Sequence, residues 1–182
     1  MNKVIIFPTD TVYGIGCSIY DLEGMNHIYE IKHRSKDKPL ACLCYDLEQI
    51  EDIAIINDKA KKLIQAFLPG PLTLIVKTNG NVKEKIGYET IGVRIPDHPV
   101  ALKLLKTYGP MLTTSVNESG EQPINTYLEV KEKYGAVVDE VIENQYPSSN
   151  LSSTVVSLVE DEIKLLREGA ITIDMIKNVI HV

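Results

Sequence analysis

Three clusters of polar side chains follow predicted strands, which is where α/β proteins commonly bind ligands. The first cluster occupies residues 8–14, directly after the apolar run at residues 4–7. Its polar members are Thr9, Asp10, Thr11 and Tyr13. A turn requires only one or two such residues, so this density favours a binding site. Thr9 and Asp10 could also stabilise the turn through local hydrogen bonds.

The second cluster is cationic and contains Lys32, Arg34, Lys36 and Lys38 within seven residues. Guanidinium groups bind phosphate in bidentate fashion and lysine supplies a point charge, so the cluster could hold a polyphosphate. Cations also favour the last turn of a helix, where they are solvated. Placement directly before a buried strand favours the phosphate site, but the cluster alone leaves both interpretations open.

The third cluster spans residues 113–120. Ser115 and Asn117 lie two residues apart on a predicted strand, so their side chains share one side. A hydroxyl and an amide can together bind a phosphate, a ribose or a carboxylate. The alternative is that Asn117 or Ser119 caps a helix after the strand. Three isolated candidates are Arg94, the Ser153-Thr154 pair and Arg167.

The sequence lacks the motifs of several common reaction types. It contains no G-x-x-x-x-G-K-[ST] loop, no G-x-G-x-x-G fingerprint and no G-x-S-x-G elbow. We find no evident carboxylate pair, and the four histidines are scattered. Hydroxyls, amides and cations without a nucleophile suit a reaction driven by positioning and charge neutralisation, such as attack on phosphorus.

Bulk composition predicts a single domain over residues 1–182 in the cytoplasm. No apolar run approaches the roughly 20 residues that span a membrane, and the N-terminus does not resemble a signal peptide. The net charge of −6 argues against binding a polyanion over the whole surface. The three cysteines are an odd number, which favours buried thiols over disulfides or a metal site.

Apolar runs alternate with helical periodicity, which predicts an α/β domain with a twisted mixed sheet. The predicted strands are residues 4–7, 39–45, 72–77, 90–96, 111–117, 153–159 and 162–169, the last two paired. The predicted helices are residues 21–33, 59–67, 100–108, 127–134 and 172–179. Asp21 is predicted to cap the first helix, and Asn79-Gly80 is predicted to form a turn.

Six motifs occur in a specific order along the chain: FPTDTVYGIG, IKHRSKDKPL, LPGPLTLIV, GVRIPDHP, TSVNESG and STVV…LLREGAI. Together they resemble the YrdC-like family of threonylcarbamoyl-AMP synthases, over about residues 3–171. The resemblance implies a twisted mixed β-sheet flanked by helices, with a large concave, positively charged cavity. It also implies a nucleotidyltransferase that converts L-threonine, bicarbonate and ATP into threonylcarbamoyl-AMP and pyrophosphate.

The resemblance further implies roles for individual residues. Contacts to threonine are implied for Thr11, Tyr13, Arg94 and Ser153. Contacts to the nucleotide are implied for Lys32, Arg34, Lys38, Ser115, Asn117 and Arg167. Lys32, Arg34, Ser115 and Asn117 form the implied catalytic set. Mg²⁺ would accompany ATP without assigned protein ligands, and partner proteins would pass the threonylcarbamoyl group to tRNA.

Three positions depart from the family pattern. Leu43 stands where some members have histidine, one extra residue lies near Gln122, and Ser157 stands where many members have aspartate. The resemblance leads us to expect the short, single-domain form of the family. Two alternatives are a tRNA-binding or double-stranded-RNA-binding protein that uses the basic cavity without catalysis, and a carbamoyl transferase module like that of hydrogenase maturation proteins.

Overall fold

A computed structural model describes residues 2–181, which form a ten-stranded mixed sheet and seven helices. The strands are β1 (Ile5–Phe7), β2 (Gly14–Ser18), β3 (Ala41–Leu43), β4 (Ala54–Ile55), β5 (Leu72–Thr78), β6 (Thr90–Arg94), β7 (Met111–Ser115), β8 (Glu140–Val141), β9 (Thr154–Ser157) and β10 (Lys164–Arg167). The helices are α1 (Leu22–Ile31), α2 (Leu47–Ile53), α3 (Asp58–Phe67), α4 (Gly80–Ile86), α5 (Pro99–Tyr108), α6 (Tyr127–Tyr134) and α7 (Ile173–Ile180).

The sheet has the order β10-β9-β5-β6-β3-β7-β2-β1-β8, and β4 pairs with β5 outside this path. Most neighbouring strands are antiparallel, whereas β3–β6, β5–β9 and β1–β8 are parallel. This arrangement confirms the predicted mixed α/β sheet, including the predicted pairing of β9 with β10, which is antiparallel.

Alternation along the strands separates a core face from an open face. On β5, Leu72, Leu74 and Val76 belong to the main hydrophobic core, whereas Thr73 and Ile75 line a cavity on the opposite face. This is the period of two expected for a strand that is buried on one side. The open face of the sheet therefore becomes the floor of a site.

The helix cap predicted at Asp21 is confirmed, because its carboxylate accepts a hydrogen bond from the Gly24 backbone N–H at 2.9 Å. The turn predicted at Asn79-Gly80 is wrong. Asn79 instead caps α4, and its side-chain oxygen accepts from the Val82 backbone N–H at 3.0 Å. Asparagine suits both structures, so the dipeptide alone could not separate them.

Cys17, Cys42 and Cys44 are buried free thiols, as predicted. Burial raises the pKa of Cys17 to about 12, which makes a reactive thiolate at this position unfavourable. Within residues 2–181, none of the helices combines the length and hydrophobicity needed to cross a bilayer.

Candidate functional site

A cavity of about 420 Å³ lies on the open face of the sheet. Strands β2, β3, β5, β6, β7, β9 and β10 all contribute to its lining. Seven of the ten predicted site residues line this cavity: Thr11, Tyr13, Arg34, Arg94, Ser115, Ser153 and Arg167. The sheet therefore brings together residues from the first, second and third clusters and all three isolated candidates.

Gly92 lines the floor of the cavity, where the absence of a side chain leaves space for its neighbours. A Cβ atom at this position would lie 3.0 Å from Ile75 Cδ1 and 3.2 Å from Thr73 Cγ2. Both distances are shorter than ordinary van der Waals contacts, so a larger residue would displace the floor or project into the cavity.

The first cluster, at residues 8–14, is hydrogen-bonded to a segment that is distant in sequence. Ser149 and Asn150 donate their backbone N–H groups to the carbonyls of Asp10 and Thr11, each at 2.9 Å. Ser148 donates its hydroxyl to the carbonyl of Thr9 at 2.6 Å. These bonds fix the main chain on which the Thr11 side chain stands.

Arg94 is the most extensively bonded cation of the cavity. Its Nε donates to the Gly70 carbonyl at 2.9 Å and its Nη1 donates to Thr11 Oγ1 at 2.8 Å. Its Nη2 pairs with Asp10 Oδ1 at 2.5 Å. Burial lowers the pKa of Arg94, and the carboxylate of Asp10 partly offsets that effect. Sequence reasoning gave Asp10 no role beyond the turn, although a buried arginine requires a counter-ion.

Lys32 lies beneath the third cluster and does not line the cavity. Its ammonium group donates to the carbonyls of Ser115 and Asn117 at 2.5 and 2.7 Å, and to Asn117 Oδ1 at 2.6 Å. Burial, together with the charge of Arg34, lowers the pKa of Lys32 to about 8. With 1% of its surface exposed, Lys32 is not part of a solvated helix end, so that interpretation is wrong for this residue.

Asn117 follows β7 without capping a helix, so the alternative role considered for it and for Ser119 is wrong. The next helix is α6, which begins at Tyr127 and has Thr126 as its N-cap. Asn117 Oδ1 accepts from Ser115 Oγ at 2.9 Å, and its Nδ2 donates to the Glu121 carbonyl at 2.6 Å. The amide of Asn117 therefore organises the loop beside the cavity.

Arg34 lines the cavity, and its side chain also fixes the shape of the cationic loop, which carries the second cluster at residues 32–38. Its Nε donates to the Lys38 carbonyl at 2.9 Å and its Nη2 donates to the Pro39 carbonyl at 3.1 Å. The Tyr29 hydroxyl donates to the same Lys38 carbonyl at 3.1 Å. Lys36 and Lys38 are exposed, and the Lys38 side chain is not among those that line the cavity. Its nucleotide contact therefore stays a prediction.

Arg167 also lines the cavity. Its Nε donates to the Ser153 carbonyl at 2.9 Å and its Nη2 donates to Ser153 Oγ at 3.1 Å. Desolvation lowers the pKa of Arg167.

Tyr13 is buried, which raises its pKa, and its hydroxyl accepts from the Asn144 backbone N–H at 2.9 Å.

Three guanidinium groups therefore line one cavity, namely those of Arg34, Arg94 and Arg167. Within the described chain, only Arg94 of the three pairs with a carboxylate. Such a set favours anionic ligands with phosphate or carboxylate groups.

Leu43 also lines the cavity, so the wall is apolar at this position, where some family members have histidine. Residues 2–181 contain no group of three or more histidine, cysteine or acidic side chains placed to hold a metal ion.

Comparisons with known proteins show what this chain is similar to in sequence and in fold. The sequence profile of the Sua5/YciO/YrdC family, described as "Telomere recombination", matches residues 1–169. A threonylcarbamoyl-AMP synthase of Bacillus subtilis (strain 168) is 35% identical over 184 residues, covering 98% of this chain and 53% of that protein. Sua5 of P. abyssi, complexed with L-threonine, is 34% identical with a TM-score of 0.91, covering 98% of this chain and 54% of that one.

The crystal structure of E. coli YciO has a TM-score of 0.84 and 30% identity, covering 93% of this chain and 84% of that one. This chain thus spans about half the length of the B. subtilis and P. abyssi proteins, and most of the E. coli protein.

Proposed function

The chain belongs to the Sua5/YciO/YrdC family, and on that basis we propose that it is a threonylcarbamoyl-AMP synthase. It would convert L-threonine, bicarbonate and ATP into threonylcarbamoyl-AMP and pyrophosphate. The observation that carries the proposal is the convergence of seven predicted substrate residues on one cavity that contains three arginines. A single cavity is what a reaction between two anionic substrates requires.

The amino acid would bind where Thr11, Arg94 and Ser153 meet the cavity. Arg94 has two N–H groups beyond those that bind Gly70, Thr11 and Asp10, since a guanidinium carries five. These two groups could take the carboxylate of threonine. Arg34, Arg167, Ser115 and Asn117 would bind the nucleotide, and Lys32 would support that end by holding Ser115 and Asn117 in place.

The reaction would need orientation and charge neutralisation rather than a protein nucleophile. An oxygen of the threonine carbamate would attack the α-phosphorus of ATP, and the bond to the departing pyrophosphate would break. Two like charges at contact distance repel by about 1 kcal/mol in water and by more in a drier site. The cavity arginines would offset that repulsion. Mg²⁺ would arrive as part of the MgATP substrate, bound to its phosphates.

The RNA-binding alternative has less support. Of the four cations in the second cluster, Lys32 is buried and Arg34 is half-buried, which leaves only Lys36 and Lys38 on the surface. A protein that grips RNA with this cluster would present most of its cations to phosphates. We propose instead that tRNA receives the threonylcarbamoyl group through partner proteins that consume the reactive product.

Mass spectrometry of the reaction product tests the proposal. Incubation with MgATP, L-threonine and bicarbonate should yield threonylcarbamoyl-AMP and an equal amount of pyrophosphate, and omission of threonine should prevent both. Carbamoyl-AMP formed from a carbamoyl donor would favour the carbamoyl transferase alternative. Absence of any adenylate, with salt-sensitive binding to structured RNA, would support the RNA-binding alternative and overturn ours.

The lowered pKa of Lys32 predicts how the rate depends on pH. Below about pH 8 the ammonium form supplies three donors for its three oxygen acceptors. As the pH rises through 8 the proton is lost, and a neutral amine supplies only two donors and no charge. The maximal rate of pyrophosphate release should therefore fall as the pH rises through about 8. Lys36→Met should show the same fall, and a constant or rising rate up to about pH 9.5 would contradict the prediction.

A further inference from the structure

Thr73 is a buried residue of the cavity floor to which neither the motifs nor the resemblance assigned a role. It lies on β5 with 5% of its surface exposed. Its Oγ1 is 2.8 Å from Ser153 Oγ, and this is the hydrogen bond that the structure gives its side chain. The strand itself is held by backbone bonds to β6 and β9, so the hydroxyl is not needed to form the sheet.

The orientation of the Thr73 hydroxyl is set by packing. The methyl group of Thr73 lies over Gly92, where a Cβ would come within 3.2 Å of it. A β-branched side chain has few available rotamers, so the room above Gly92 for the methyl group directs the hydroxyl toward Ser153.

Ser153 Oγ links Thr73 to the guanidinium group of Arg167. It accepts an N–H from Arg167 Nη2 at 3.1 Å, while the Ser153 carbonyl accepts from Arg167 Nε. A hydroxyl has one hydrogen and two lone pairs. With Thr73 on one side and Arg167 on the other, the Ser153 hydroxyl has a defined direction instead of rotating freely.

The position of Arg167 depends strongly on its contact with Ser153, because few other interactions fix it. The register of β10 shifts between Leu165 and Arg167, so the strand pairing is irregular at this arginine. Among residues 2–181 no carboxylate pairs with it. Ser153 is therefore its main fixed partner.

We propose that Thr73 is a positioning residue that orients the Ser153 hydroxyl, and through it Arg167, toward the substrates. This inference rests on the proposed function, because it assumes that Ser153 contacts the amino acid. Thr73 acts through Ser153, and it is not a catalytic residue.

Thr73→Val tests the inference, since valine keeps the shape and the methyl group but loses the hydroxyl. We expect the KM for L-threonine to rise about tenfold, as for loss of one buried hydrogen bond. The KM for ATP should rise by less, because Arg167 keeps its bond to the Ser153 carbonyl. Thr73→Ser keeps the hydroxyl but loses the methyl group that directs it, so its KM for L-threonine should lie between those of the wild type and Thr73→Val. Both variants should unfold at similar temperatures, which separates positioning from loss of structure.

A double-mutant cycle distinguishes positioning from direct contact. In a Ser153→Ala background, Thr73→Val should add less than about a twofold further effect, because the residue through which it acts is gone. A full tenfold effect in that background, or a wild-type KM in Thr73→Val alone, overturns the inference while the proposed function stands. If the wild-type protein neither forms threonylcarbamoyl-AMP nor binds L-threonine by calorimetry, the proposed function fails and the inference fails with it.

Discussion

Lys32→Met should lower the maximal rate of threonylcarbamoyl-AMP formation by about 100-fold or more, the effect expected when reacting groups are misplaced by about 1 Å. Methionine has a similar length but no donor and no charge. Three oxygens that now accept from the ammonium, at 2.5 to 2.7 Å, would lose this donor. Because two of them belong to the backbone of the Ser115–Asn117 segment, that segment should move relative to the nucleotide. Pyrophosphate release at saturating substrates measures the effect.

Lys36→Met is the matched control for this substitution. Lys36 belongs to the same cationic loop, but it is exposed and its ammonium bonds to the side chain of Asn26. Its loss should change the rate by less than about twofold, as for most surface residues away from special features. Thermal unfolding of both variants shows whether Lys32→Met was still folded during the assay. Near-normal activity of a folded Lys32→Met protein would exclude the supporting role.

Arg94→Met should raise the KM for L-threonine by about 100-fold and should also destabilise the fold. The substitution leaves the Asp10 carboxylate, which is 15% exposed, without its partner. Removing one member of a buried pair costs about 3–5 kcal/mol of unfolding free energy, because the remaining charge is uncompensated. Losing a buried charge contact to an anionic substrate costs about 2–5 kcal/mol in binding. Steady-state kinetics and urea unfolding measure the two effects separately.

A double variant separates the two effects of Arg94. Asp10→Asn combined with Arg94→Met removes both charges, so most of the lost stability should return, whereas the KM for threonine should stay high. Recovery of both properties would mean that Arg94 acts only as the counter-ion of Asp10. Recovery of neither would mean that the pair is not the source of the instability.

Local patterns predicted much of the fold. Helix α6 is predicted at residues 127–134 and found at Tyr127–Tyr134, and the alternation in β5 placed that strand to within one residue. Strand β2 was missed because Gly14 and Gly16 resemble a turn. In the structure a Cβ at Gly14 would lie only 2.7 Å from Thr113 Cγ2, so close strand packing explains this glycine. Helices α2 and α4 have seven residues each, which gives a weak periodic signal.

The contacts that define the site could not be read from local patterns. Asp10 pairs with Arg94 across 84 positions, Lys32 with Asn117 across 85, and Thr73 with Ser153 across 80. Periodicity reports which face of an element is apolar, but not which distant polar groups meet on the other face. The motifs therefore identified the residues of the candidate site, and the fold determined which of them face the cavity and which support it.

The contribution of seven strands to the cavity has a consequence for folding. Its predicted ligand contacts run from Thr11 to Arg167, so they converge only after nearly the whole chain has folded. A partly folded intermediate would have the separate residues but little affinity for either substrate. Ligands of the cavity should therefore bind the native state almost exclusively, and mass action would then shift the population toward that state. For this chain, the free energy of unfolding should therefore rise with ligand concentration, by an amount set by the dissociation constant of the ligand.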